Sequence, residues 1–224
     1  MVRFVSSAVV LSVFLLASIS AHANSGDLMT FQGLGDLQPV GNFYNGSGPF
    51  GTPNFGVTFS SNFFGLRSVF NGGGGNFSAT PTGTPAIFVN GTTGMSTTGM
   101  MNVNAGFSNG INFFYTAGFT SSQNEVVKVW SGANGTGTVL ATIVLANNNG
   151  GCSAPLYCNW SDAVLGFSGT AKSVTFTGPA NEIGFADITI GSNTTALPEP
   201  SSIYLLGTGL AGISIAKVRR FFRL

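Results

Sequence analysis

The chain has 224 residues, of which 33 are glycine and 21 phenylalanine, and only 7% are charged. Its net charge of +1 belongs to its ends: between residues 24 and 196, Arg67, Lys128 and Lys172 oppose Asp27, Asp36, Glu125, Asp162, Glu182 and Asp187, a net −3. Three scattered cations cannot replace the counterions of a phosphate backbone, which excludes nucleic acid as a partner.

Arg3 precedes an apolar stretch from Phe4 to Ile19 and the small-residue site Ala21-His22-Ala23. This is the layout of a secretory signal peptide over 1–23, with a mature chain starting at Asn24. Cleavage there removes His22, the only histidine. Without imidazole, neither a Ser-His-Asp nor a Cys-His arrangement can be assembled. A paired-carboxylate glycosidase needs only two acids, for which Glu125, Asp162, Glu182 and Asp187 are formal candidates. So few acids over so long a body read better as solvated turn residues, and no catalysis is expected.

Residues 24–190 suit one domain with a core of its own. Six Asn-Gly pairs, at Asn45, Asn71, Asn90, Asn109, Asn134 and Asn149, suit tight turns between antiparallel strands. Between them the predicted strands are 28–32, 55–60, 86–90, 111–119, 125–130, 138–146, 173–178 and 183–190. In SVTFT, Val174 and Phe176 share one face and Ser173, Thr175 and Thr177 the other, as in a sheet with one side in a core. The expected fold is therefore all-β, an antiparallel two-sheet β-sandwich. Periodicity fixes faces and not closure, so a barrel is the alternative. NGGGGN (71–76) and GTTGMSTTGMMN (91–102) read as flexible loops.

Cys152 and Cys158 are the only cysteines. Six positions apart in a chain with an export leader, they predict a local disulfide; the alternative, half a zinc site, lacks partner ligands. GSNTTA (191–196) reads as a linker. Pro198-Glu199-Pro200 follows, then a charge-free apolar segment over 201–216 and a basic cluster of Lys217, Arg219, Arg220 and Arg223 within 217–224. The prolines hold the motif extended and deny it hydrogen bonds. As a helix, 201–216 is about 24 Å long, somewhat short of a hydrocarbon core of about 30 Å, so a transmembrane helix there needs local thinning or snorkelling. The basic cluster keeps the far end cytoplasmic.

These three segments, over 197–224, resemble the PEP-CTERM sorting signal of Gram-negative bacteria. The resemblance implies an exported substrate of an exosortase, a membrane enzyme thought to cut near the motif. The protein would be anchored transiently in the inner membrane and then delivered to the outer surface or extracellular matrix.

Two stretches, VVKVWSGANGTGTVLATIVLA (126–146) and GTAKSVTFTGPANEIGFADITIGS (169–192), resemble a body that recurs before this tail. The second also resembles the closing strands of jelly-roll sandwiches related to carbohydrate-binding modules, and FQGLGDLQPVGNFYNG (31–46) their first strand and loop. No cofactor is expected from composition. The jelly-roll resemblance implies a structural calcium at Asp187, with Asp36 or backbone carbonyls as co-ligands. Gln32 stands where an acid is common, and Ala186 replaces the first of a frequent Asp pair.

Two functional readings follow. The leading one is a non-catalytic surface or matrix protein associated with exopolysaccharide or biofilm. The alternative is a carbohydrate-binding module for exopolysaccharide, using exposed aromatics as stacking platforms. Trp160 and Trp130 lead the candidates, followed by Tyr44, Tyr115 and Tyr157, with Trp160 the expected best-exposed.

Overall fold

The computed structural model describes residues 26–118 and 124–193. The signal peptide, residues 194–196 of the linker, the Pro198-Glu199-Pro200 motif, the apolar segment and the basic cluster lie outside them. Among the described residues no helix is long and apolar enough to cross a membrane.

The body is a sandwich of two antiparallel sheets, closed into no barrel. Among the described residues eleven strands follow in chain order: β1 (Asp27–Met29), β2 (Val57–Phe59), β3 (Phe63–Leu66), β4 (Ala86–Val89), β5 (Ser96–Phe107), β6 (Gly110–Ala117), β7 (Glu125–Trp130), β8 (Val139–Leu145), β9 (Ser161–Gly166), β10 (Ala171–Pro179) and β11 (Ile183–Ile190). One sheet has the order β3-β4-β11-β6-β9, with β1 added beside β11; the other has the order β2-β5-β10-β7-β8.

The alternation read in SVTFT sets the inner face. Val174 and Phe176 are fully buried, and Phe176 meets Phe185 at 4.9 Å, Phe63 at 5.5 Å and Phe113 at 6.0 Å, all edge-to-face. Edge-to-face contact sets the positive ring edge on the negative ring face, a gain of about 0.5–1.5 kcal/mol per pair beyond burial. Phe176 belongs to one sheet and Phe63, Phe113 and Phe185 to the other, so this cluster is the bond between the layers.

Four strands, β1, β3, β5 and β9, depart from expectation. The run expected to be a flexible loop at 91–102 enters β5, the longest strand. Its glycine is a packing device: a Cβ on Gly99 would collide with the Phe63 ring and Val89. β3 carries a similar device, since a Cβ on Gly65 would strike Leu34. β9 hides in SDAVLG, where only Ala163 and Leu165 are buried. The first strand stops at Met29, not 32, because the chain turns at Phe31 with φ 58° and closes the turn with Leu34 N donating to Phe31 O (3.0 Å). Of the six Asn-Gly pairs, only Asn134-Gly135, in the connection between the paired strands β7 and β8, has both residues at positive φ, 55° and 67°. Two successive positive φ values are what a type I′ hairpin requires.

Two long loops cross the outer face of the sheet that holds β11. Phe77 and Tyr157 form a parallel bridge, Leu156 N donates to Asn76 Oδ1 (3.2 Å), and Ser78 Oγ donates to the Cys158 carbonyl (3.0 Å). Cys152 and Cys158 are joined in a disulfide, with Cα atoms 5.7 Å apart.

Candidate functional site

Two places bring polar chemistry together. The first lies where β11 changes partner along one side, from β4 at Gly184 and Phe185 to β1 at Ile188–Ile190. Asp187 sits in that gap, at φ 52° and inside a bulge in the pairing with β6. A bulge re-aims a side chain, and left-handed backbone is tolerated better by Asp than by most residues. Asp187 is buried; Thr82 Oγ1 donates to its Oδ1 at 2.7 Å, while Oδ2 has no hydrogen-bond partner. Burial pushes its carboxyl up from the ordinary value, against the pull of hydrogen bonds from the Thr82 hydroxyl and backbone N–H. Nearby Tyr44 is pushed to about 12, chiefly by burial and further by the Asp187 charge; its hydroxyl accepts from Phe31 N at 2.7 Å. Tyr44 is therefore a core group and no sugar platform.

A calcium ion at Asp187 would need six to eight oxygen ligands. Asp36 does not join it. Its Oδ1 accepts from Arg67 N (2.8 Å) and its Oδ2 from Gly74 N (2.9 Å), so it ties the 67–74 loop to the first loop of the body. Among the described residues no three acidic, histidine or cysteine side chains gather in one place. The open Oδ2 fits one cation ligand, and neutral oxygens would have to supply nearly all the others.

The second place is the solvent face of the β2-β5-β10-β7-β8 sheet. Thr98, Val126, Lys128, Trp130, Thr175 and Thr177 line a shallow depression of about 330 Å³. Trp130 is half-buried, and its Nε1 donates to Thr175 Oγ1 at 2.9 Å, which fixes the plane of the indole. Lys128 Nζ stands 6.0 Å from the ring centroid, at the outer limit of a cation–π contact. The Thr98 and Thr177 hydroxyls share a hydrogen bond at 2.9 Å beside it. The β7–β8 turn folds over the same face: Asn102 and Asn134 bond through Asn102 Nδ2 to Asn134 Oδ1 (3.0 Å) and Asn134 N to Asn102 Oδ1 (2.8 Å).

Trp160 is placed differently from expectation. It is half-buried, its ring meets Phe77 edge-on at 5.7 Å, and its Nε1 donates to Ser78 O (3.3 Å). It clamps the two outer loops, so it is a poor stacking surface. Tyr157 is half-buried in the same loops, its hydroxyl pushed up by burial and by the Glu182 charge. Tyr115 packs against the core. Among the acids, Glu125 belongs to the opposite sheet from Asp162 and Asp187. Thr82 and Thr175 were not legible as site residues; their partners lie 105 and 45 positions away, beyond any local signal.

No protein-family model matches the chain, and no curated protein matches it. Among solved structures, the cleaved adhesin domain of Lys-gingipain from Porphyromonas gingivalis is similar over 62% of this chain and 99% of that one, at 10% identity and a TM-score of 0.38. A likeness at that level bears on neither function nor site.

Proposed function

We propose that this is a non-catalytic exported surface or matrix protein, sorted through its C-terminal motif by an exosortase-type enzyme of the inner membrane. The observation that carries the reading is the order of segments in 197–224: an extended Pro198-Glu199-Pro200, an uncharged apolar stretch, then Lys217, Arg219, Arg220 and Arg223. A secretory leader and a disulfide are consistent with passage through an oxidising compartment. In the same reading the sandwich is of jelly-roll type, supported by a chain that passes between the two sheets eight times.

The motif and the apolar segment have separable roles, which gives the test. Glu199→Ala leaves the apolar segment intact, so uncut precursor accumulates in the membrane. Leu206→Arg sets a charge near the centre of the segment at a cost of about 3 kcal/mol, so uncut precursor appears in soluble fractions. Wild-type processing and localisation of both variants would refute the sorting reading.

A second reading, recognition of exopolysaccharide, is favoured by one observation: the Trp130 indole, held by Thr175 beside a hydroxyl pair and a lysine. A sugar ring stacks on such a face while hydroxyls and Lys128 contact its polar edge. Loss of exopolysaccharide binding in Trp130→Ala with an unchanged melting temperature supports it. Binding equal to wild type removes it.

A further inference from the structure

Among the described residues β8 is an edge strand, paired with β7 on one side and with no strand on the other. Exposed edges are templates for pairing, and they are commonly blunted by lysine, proline or inward charge. β8 reads VLATIVL, with neither, and no charged residue occurs between Lys128 and Asp162. Its one irregularity lies at its start, where the pairing shifts between Val129 and Trp130; Ala141–Leu145 then run in regular register with Val129–Glu125. Apolar surface is left open on both faces of the strand. Val139 and Val144 are exposed, and Leu140, Ala141 and Ile143 are only partly buried against the core.

We propose that β8 pairs with β8 of a second copy of this chain, antiparallel across a two-fold axis, so that two sheets become one continuous sheet. The register that engages the whole strand puts Thr142 on the axis. Val139 then meets Leu145, Leu140 meets Val144, and Ala141 meets Ile143. Every opposed pair is apolar except the two threonines, and Ala141 and Ile143, which lie opposite the buried Val129 and Val127 of β7, share the core-side face.

Charge favours a second copy as the occupant. The charged residue nearest the axis along the sheet is Lys128, which pairs with Thr142. Its symmetry mate lies three strand spacings away, about 14 Å, beyond a Debye length of about 8 Å. Identical edges of a body with net charge −3 can therefore meet without like charges in contact. An isologous contact requires such a pattern, because each residue must suit its own symmetry-related position. The pairing stands whether or not the tail is a sorting signal.

The test uses the full chain in detergent. Both native cysteines are engaged in the disulfide, so an introduced thiol reports alone. With a short bifunctional thiol reagent, Thr142→Cys cross-links into a dimer. Val144→Cys does not, since its two copies are about 14 Å apart in this register. In sedimentation equilibrium the wild type dimerises, and Thr142→Lys, which opposes two like charges on an exposed position, weakens the dimer about 10-fold or more. Equal cross-linking at both positions overturns the proposed register. A wild type that stays monomeric, or a dimer that survives Thr142→Lys, overturns the interface.

Discussion

Replacing Glu125 with glutamine should stabilise the protein at alkaline pH and leave it nearly unchanged in acid. Glu125 opens β7 on its core-facing side and is only 3% exposed, with no hydrogen-bond partner for Oε1. Its carboxyl occupies the space beside Gly178 of β10, where a Cβ would collide with it. Burial penalises the anion and pushes this carboxyl from 4.5 up to about 8. Between these values the folded chain holds a proton that the unfolded chain has released, so stability falls as pH rises, by about 1.4 kcal/mol per unit. The loss reaches about 3 kcal/mol at pH 7 and about 5 kcal/mol above pH 8, a large part of the 5–15 kcal/mol typical of a domain. Glutamine keeps the shape and cannot ionise. Urea unfolding from pH 5 to pH 8.5, followed by the fluorescence of Trp130 and Trp160, measures the difference directly. Variant and wild type should lie within about 1 kcal/mol at pH 5 and diverge with the variant above by several kcal/mol at pH 8.5. Asp187, also pushed up by burial, gives the wild type a slope of the same sign, but it is common to both proteins and cancels in the difference. A gap that does not widen with pH would refute the assignment of a buried, neutral Glu125.

Phe176→Ala opens a cavity among Phe63, Phe113 and Phe185 and should cost about 3–5 kcal/mol in denaturant unfolding, far more than Phe70→Ala in an exposed loop. Cys158→Ser breaks a short loop, worth about 2 kcal/mol by chain entropy; the exported protein should still fold, with a lower urea midpoint and a free thiol. If Asp187 holds calcium, chelator should lower the melting temperature of the wild type and leave that of Asp187→Asn unmoved; a wild-type melt indifferent to chelator removes the ion.

The primary structure alone determined much that is local. β7 and β11 begin and end where hydrophobic alternation and flanking turns place them, at 125–130 and 183–190. Val174 and Phe176 face the core, because a period of two leaves an apolar run only one inner side. Asn134-Gly135 makes its hairpin by its own backbone preference. Tertiary structure decided whatever depends on a partner distant in the chain. A stretch as polar and glycine-bearing as STTGMMN becomes the longest strand because Phe63 and Val89 fill the space over Gly99, and the long-range packing outweighs the weak local propensity. Asp36 and Asp187 look alike as isolated acids in loops and strand ends. One is satisfied by two backbone N–H groups, while the other is buried with an open oxygen, because the fold brings Arg67 and Gly74 to the first and only Thr82 to the second. Trp130 and Trp160 likewise differ only through what covers them: a loop clamps Trp160, whereas a sheet face and a threonine orient Trp130. That β8 is an edge was equally invisible, since an apolar strand reads the same with one neighbour or two, and strand order is set by contacts that local sequence does not encode.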